Sequence, residues 1–226
     1  MVCQCEYCDL KMLFFNCIDQ DQVEHYCDSR KETTYKEGES IIIQDQNISD
    51  FLYLKEGLVK LYRTNEHGDE QIISFGKPYD FVSILSVFSS SKYNYSVTAL
   101  RPSVICSFKL TQITDLIQSN GLFAMHLIQT LTKSSDRIII NSLNLLQKRL
   151  YGRIAHLLLY FSDDIFFQDQ FDLPLSRKEI SQYIGLTQEN VIRALSALRK
   201  DGTIQVYGKS ISIIDKERLL RMRELS

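Results

Sequence analysis

Hydrophobic positions change period along the chain. From Thr33 to about Ser107 they come in short β-branched and aromatic runs, IIIQ, FLYL, LVKLYRT, QIISF and SVTAL, separated by turn residues. Such runs predict antiparallel strands. Gly38, Gly57, Gly68 and Gly76 place the turns, and Asn65 to Asp69 joins two alternating strands as a hairpin. Strands at this regular spacing predict a compact barrel or roll.

Beyond Thr111 the period lengthens. Ile113, Leu116 and Ile117 predict a short helix, and Gly121 separates it from a long one beginning near Leu122. Leu127, Leu131, Ser134 and Ile138, with Leu145 farther on, stand at spacings close to a heptad, the seam by which such a helix pairs with its twin. The alternative is that this stripe packs on the β domain. Residues 149–161, RLYGRIAHLLLYF, predict a further helix. The acidic and aromatic stretch Ser162 to Asp172 then leads to Pro174, so a domain boundary is expected near 146–150.

The segment from Pro174 to Gly202 reads as two short helices and a tight turn. Ser176 followed by Glu179 is a capping box, Ile180 and Ile184 share one face, and Gly185 supplies the permissive backbone of an abrupt helix end. Thr187 caps a second helix whose apolar residues Val191, Leu195 and Leu198 leave Gln188, Glu189, Asn190 and Arg193 on another face. In a helix-turn-helix that face enters the DNA major groove, where Arg pairs with guanine and a carboxylate accepts from cytosine. The competing account is a plain helical hairpin in which Glu189 and Arg193 form an exposed i,i+4 ion pair. The run TIQVYGKSISII that follows predicts a hairpin, which favours a winged helix-turn-helix.

Charge refines this picture. The 226 residues carry a net charge of −2, but residues 147–226 hold 13 Lys and Arg against 10 Asp and Glu, while residues 1–146 hold 13 against 18. The basic excess lies with the helix-turn-helix. No apolar run has the length of a membrane span and the start lacks the pattern of a signal peptide, so a cytoplasmic protein without membrane contact is expected. No nucleophile elbow, P-loop, H-E-x-x-H or paired-glycine nucleotide fingerprint is present, and no enzymatic activity is expected.

Five of the six cysteines, Cys3, Cys5, Cys8, Cys17 and Cys27, fall in the first 30 residues, and Cys106 stands apart. A reducing compartment disfavours disulfides. Cys5 and Cys8 form a C-x-x-C that suits a metal, an iron–sulfur cluster or a redox pair, while free thiols are the commoner outcome for such residues. His25, His67, His126 and His156 make no ligand set.

The strings YKEGESI at 35–41, LYLKEGLVKLYRTNEHGDEQIISF at 52–75, GRIAHLLL at 152–159 and LSRKEISQYIGLTQENVIRAL at 175–195, in this order, resemble the Crp/Fnr superfamily of bacterial transcription regulators. The resemblance implies an α+β chain: a Cys-rich segment over 1–30, a β-roll sensor (a double-stranded β-helix like that of cyclic-nucleotide-binding domains) over 31–112, a helical linker and dimerisation helix over 113–148, and a DNA-binding winged helix-turn-helix over 149–226. It further implies a homodimer on a two-fold symmetric DNA site, a small-molecule or redox effector, and RNA polymerase as a partner. Glu189 and Arg193 match the family's base-reading pair and imply a TGA-like half-site core. Ser176, Arg177, Thr187, Gln188 and Asn190 complete the expected DNA surface.

In the family's cyclic-nucleotide binders a Gly-Glu pair and an Arg-Ser pair hold ribose and phosphate. Here Ser83 and Ile84, and Tyr93 and Asn94, stand at those positions. The phosphate loses its cation, so cyclic AMP is expected neither to bind tightly nor to activate. The oxygen-sensing branch implies Cys5, Cys8, Cys17 and Cys106 as cluster ligands. The C-x2-C-x8-C spacing departs from that pattern, and the absence of a cluster is the stronger expectation.

Overall fold

The computed structural model describes residues 29–225 together with Cys17 and Tyr26. The described chain forms two compact units, one running to Thr64 and including Ser74–Arg137, the other comprising Asn65–Ile73 and the residues from Ile138 onward.

The strands of the N-terminal half form two antiparallel sheets. One contains β1 (Lys31–Tyr35), β7 (Ser103–Lys109) and β3 (Asp50–Glu56) in the order β1-β7-β3. The other orders β2 (Ser40–Ile42), β6 (Ser96–Ala99), β4 (Val59–Thr64) and β5 (Glu70–Gly76) as β2-β6-β4-β5. Strand alternation decides what each face of the first sheet meets. Phe51, Tyr53, Cys106 and Phe108 share one face and pack into a single apolar cluster with Phe81, Ile84, Val87, Ile113, Leu116, Phe123 and Leu127. Ile84 and Val87 belong to a short helix, α1 (Ile84–Val87), Ile113 and Leu116 to α2 (Leu110–Ser119), and Phe123 and Leu127 to the start of α3 (Gly121–Gln147). Asn120 separates the last two: its extended backbone ends α2, and its Oδ1 accepts from Phe123 N at 3.0 Å. The opposite face carries Lys31, Thr33, Ser107, Lys109, Asp50 and Leu52, which help line a cavity of about 330 Å³.

The hairpin read from Asn65 to Asp69 forms as expected. Asn65 Oδ1 accepts from the backbone N–H groups of His67 and Asp69, both at 2.9 Å, and Gly68 takes a left-handed φ of +83°.

In the second unit α4 (Leu150–Tyr160) buries Ile154, Leu157 and Leu158 and packs against α6 (Gln188–Lys200) and α7 (Lys216–Leu225). A π-helical turn, Phe161–Phe166, follows α4 and ends at Phe167 in the left-handed region. The acidic and aromatic stretch is thus structured. Phe161, Phe166 and Phe171 form a ring cluster with centroids 5.3–6.5 Å apart. Strand β8 (Gln170–Asp172) joins β9 (Ile204–Tyr207) and β10 (Ser210–Ile213) in the order β8-β10-β9. The last ten residues of α3, 138–147, belong to this unit: Asn141 Nδ2 donates to the Tyr183 hydroxyl, its Oδ1 lies 2.5 Å from His156 Nε2, and Leu145 is buried.

The heptad seam requires correction. Leu127 and Leu145 are buried, Leu131 packs against the apolar cluster of the first unit, and Ser134 and Ile138 are half-buried. Leu127, Leu131 and Leu145 are thus spent within their own chain. The exposed apolar side of α3 is instead Leu122, Met125 and Ile128 in its first part and Ile139, Ile140, Leu143 and Leu146 in its last. Met125, Ile139 and Leu146 fall at multiples of seven with Thr132 between them, so a heptad is present on a different face from the one that spacing selected. Two apolar stripes share one helix, and period alone does not say which is spent internally.

Candidate nucleic-acid interface

The two helices read from residues 174–202 are α5 (Arg177–Ile184) and α6. Ser176 Oγ accepts from Glu179 N at 3.2 Å, while Ser176 N donates to Glu179 Oε2 at 2.8 Å. Both halves of the capping box are made. Gly185 closes α5 at φ +67°, and its N–H donates to Ser181 O at 3.0 Å. Thr187 Oγ1 then accepts from Asn190 N at 3.3 Å and starts α6.

Burial fixes the direction of α6. Val191, Ala194, Leu195 and Leu198 are buried on one side, and α5 contributes Ile180, Tyr183 and Ile184. Gln188, Glu189, Ile192, Arg193 and Ser196 are left exposed on the other. Arg153 of α4 braces the base of this pair: its Nη1 donates to Ile184 O and its Nε to Lys148 O, each at 2.7 Å. Those carbonyls end α5 and follow α3, so one planar guanidinium ties together groups that would otherwise lack intrahelical donors.

The exposed face is electrostatically prepared. The Glu189 carboxyl is held below its ordinary range by its own backbone N–H and by the Thr187 hydroxyl, so it is an acceptor at neutral pH. Arg193 Nη2 donates to Asn190 Oδ1. Arg193 therefore turns toward Asn190 and makes no ion pair with Glu189, contrary to the plain-hairpin account, and the carboxylate and the guanidinium each keep hydrogen-bonding capacity. Ser176 is exposed at the start of α5, and Arg177 is half-buried, with burial lowering its pKa.

Two neighbouring features were not singled out as site residues from sequence. Tyr207, 76% exposed, stands at the tip of the β9–β10 hairpin beside Gly208 and Lys209. Ile192 is an exposed isoleucine on the same face of α6 as Glu189 and Arg193. The sequence signal for both was present, an aromatic and a lysine at a hairpin tip and an apolar residue out of phase with the buried stripe.

Residues 152–222 match the model of the Crp-like helix-turn-helix domain, and residues 32–120 match that of the cyclic nucleotide-binding domain. The chain belongs to the Crp/Fnr superfamily of transcription regulators. Among relatives, the Electron transport regulator A of Shewanella oneidensis is 26% identical over 208 residues, covering 90% of this chain and 82% of that one. The Fumarate and nitrate reduction regulatory protein of Escherichia coli is 25% identical over 227 residues, covering 96% and 89%. The structure of FixK2 from Bradyrhizobium japonicum superposes with a TM-score of 0.77 at 24% identity, covering 85% of this chain and 96% of that one, a likeness of fold.

In this Crp/Fnr chain the four residues expected at the family's nucleotide-holding positions stand in different surroundings. Ser83 is fully buried, its Oγ accepting from Leu52 N at 2.9 Å. Ile84 is part of the apolar cluster. Asn94 is exposed, and its backbone N–H donates to Ser86 Oγ at 3.2 Å. Tyr93 lines the 330 Å³ cavity, its hydroxyl donating to Asp50 O at 3.4 Å, and burial pushes its pKa up to about 12.

Of the thiols implied as cluster ligands, Cys5 and Cys8 lie outside the described residues. Cys17 is half-buried and packs against the apolar cluster that contains Cys106. Burial raises the Cys106 thiol to about 11, with the Tyr53 hydroxyl and the Glu32 carboxylate nearby, so the neutral thiol is the favoured form. Among the described residues, no group of three or more His, Cys, Asp or Glu side chains is placed to hold a metal ion, and none of the described helices is long and apolar enough to cross a membrane.

Proposed function

We propose that this protein is a homodimeric, cytoplasmic regulator that binds a palindromic promoter site and couples a signal received in the β-roll to that binding. The observation that carries the reading is the exposed pair Glu189 and Arg193, one turn apart on a capped helix whose other side is buried. A carboxylate there accepts from cytosine N4 and a guanidinium spans guanine O6 and N7, the pattern of a TGA-like half-site and its complement. Gln188 and Asn190 flank the pair, and Ser176, Arg177 and Thr187 sit at helix starts, where hydroxyls, backbone N–H groups and a cation suit phosphates. The exposed side of α3 pairs with a second copy, which gives the two-fold symmetry. RNA polymerase is the partner at the promoter.

The effector is a small molecule held in the β-roll. The cavity bounded by Lys31, Asp50, Tyr93 and Lys109 is its expected seat, because Ser83 and Ile84 are packed away. In vitro selection from random duplexes tests the reading. Recovery of an inverted repeat with a TGA-like core, bound by a dimer with strong salt dependence, is the expected result. Equal retention of all sequences would refute it.

A further inference from the structure

Ile192 is the residue of α6 that core packing does not explain. Val191, Ala194, Leu195 and Leu198 are all buried, whereas Ile192 is 48% exposed. A single exposed apolar side chain is ordinary on a protein surface. Its position is what decides: Ile192 stands four residues after Gln188, three after Glu189 and next to Arg193, in the middle of the exposed polar face. It offers no donor or acceptor there, and in a helix its β-branched side chain is held near one χ1 rotamer, so little freedom is lost on contact.

A DNA major groove exposes one apolar group, the C5 methyl of thymine, among edges otherwise made of donors and acceptors. We propose that Ile192 takes this methyl group, selecting one thymine in each half-site beside the G·C pair read by Glu189 and Arg193. The inference rests on the DNA-binding reading and adds the chemistry of one position to it. Cytosine at that position lacks the methyl and presents an N4 donor that isoleucine cannot accept, so Ile192 also rejects the other pyrimidine.

Replacing thymine by deoxyuridine removes the methyl and leaves every hydrogen-bonding edge in place. The full-length protein is titrated by gel shift against the selected palindrome and against duplexes carrying dT→dU at one position of each half-site in turn. Burial of one methyl-sized group supplies about a fourfold factor, so two half-sites give roughly tenfold or more for the dimer. The parent protein loses that factor at one symmetric pair of positions. Ile192→Ala binds the parent palindrome correspondingly more weakly and is indifferent to uracil there, while Ile192→Val retains part of the discrimination. Circular dichroism of both variants checks that the exposed substitution leaves the fold intact. Specific binding by the parent with no uracil penalty at any position overturns the role of Ile192 alone, as does an Ile192→Ala variant with the parent's penalties. Failure to bind any selected sequence overturns the DNA-binding reading beneath it.

Discussion

His156 links the C-terminal end of α3 to the DNA-binding helices, and its titration is measurable. The ring is half-buried on α4, and its Nε2 meets Asn141 Oδ1, whose amide nitrogen in turn donates to the buried Tyr183 hydroxyl on α5. Burial, and then the nearby charges of Lys148 and Arg223, lower its pKa from the ordinary 6.5 to about 4. The folded protein therefore keeps His156 neutral where the unfolded chain binds a proton. Stability from this group is complete above about pH 6.5 and is lost as pH falls toward about 4. Integrated from about pH 7.5 down to about pH 5, the difference is about 2 kcal/mol, or nearer 1 after allowance for solvent screening at a half-exposed ring. Urea denaturation of parent and His156→Gln at both pH values, at one protomer concentration, isolates the term because other acid-sensitive groups cancel in the comparison. The parent should lose about 1–2 kcal/mol more than the variant. Equal losses, or a His156 resonance titrating near 6.5 by NMR, would refute the burial argument.

Other substitutions test separate joints of the structure. Ile139→Glu with Leu143→Glu places charges on the exposed face of α3 and should give monomers by sedimentation, whereas Leu131→Ala on the inward stripe should lower stability by about 2 kcal/mol or more without changing the dimer. Ser176→Ala removes one half of the capping box and should cost about 0.5–2 kcal/mol in chemical denaturation. Cyclic AMP should produce no heat in calorimetry at millimolar nucleotide, since Ser83 and Ile84 are buried and Tyr93 supplies no cation; saturable micromolar binding would contradict that.

The helix-turn-helix was legible because its signals are local. Ser176, Glu179, Gly185 and Thr187 act within four residues of themselves, and the structure contains each of those contacts. The strands and the Asn65 hairpin were legible for the same reason. The seam on α3 was not, because Leu127 and Met125 are equally apolar and only the sheet beneath the helix decides that Leu127 is buried and Met125 exposed. Strand β8 was hidden in an acidic segment, where pairing with β10 through Phe171 and Ile211 outweighs poor strand propensity. Helix α7, rich in charge, gains its place from packing on α4 and from Arg218 reaching Asp201 at 2.9 Å, neither visible as a period.

Base readout by the exposed face of α6 is the central claim, and Arg193 is its most direct probe. Quantitative footprinting of the selected palindrome with parent and Arg193→Ala, at one salt concentration, should show about 1–3 kcal/mol lost per half-site, with the guanine position of the core no longer discriminated. Undiminished affinity and unchanged guanine preference in Arg193→Ala would contradict it.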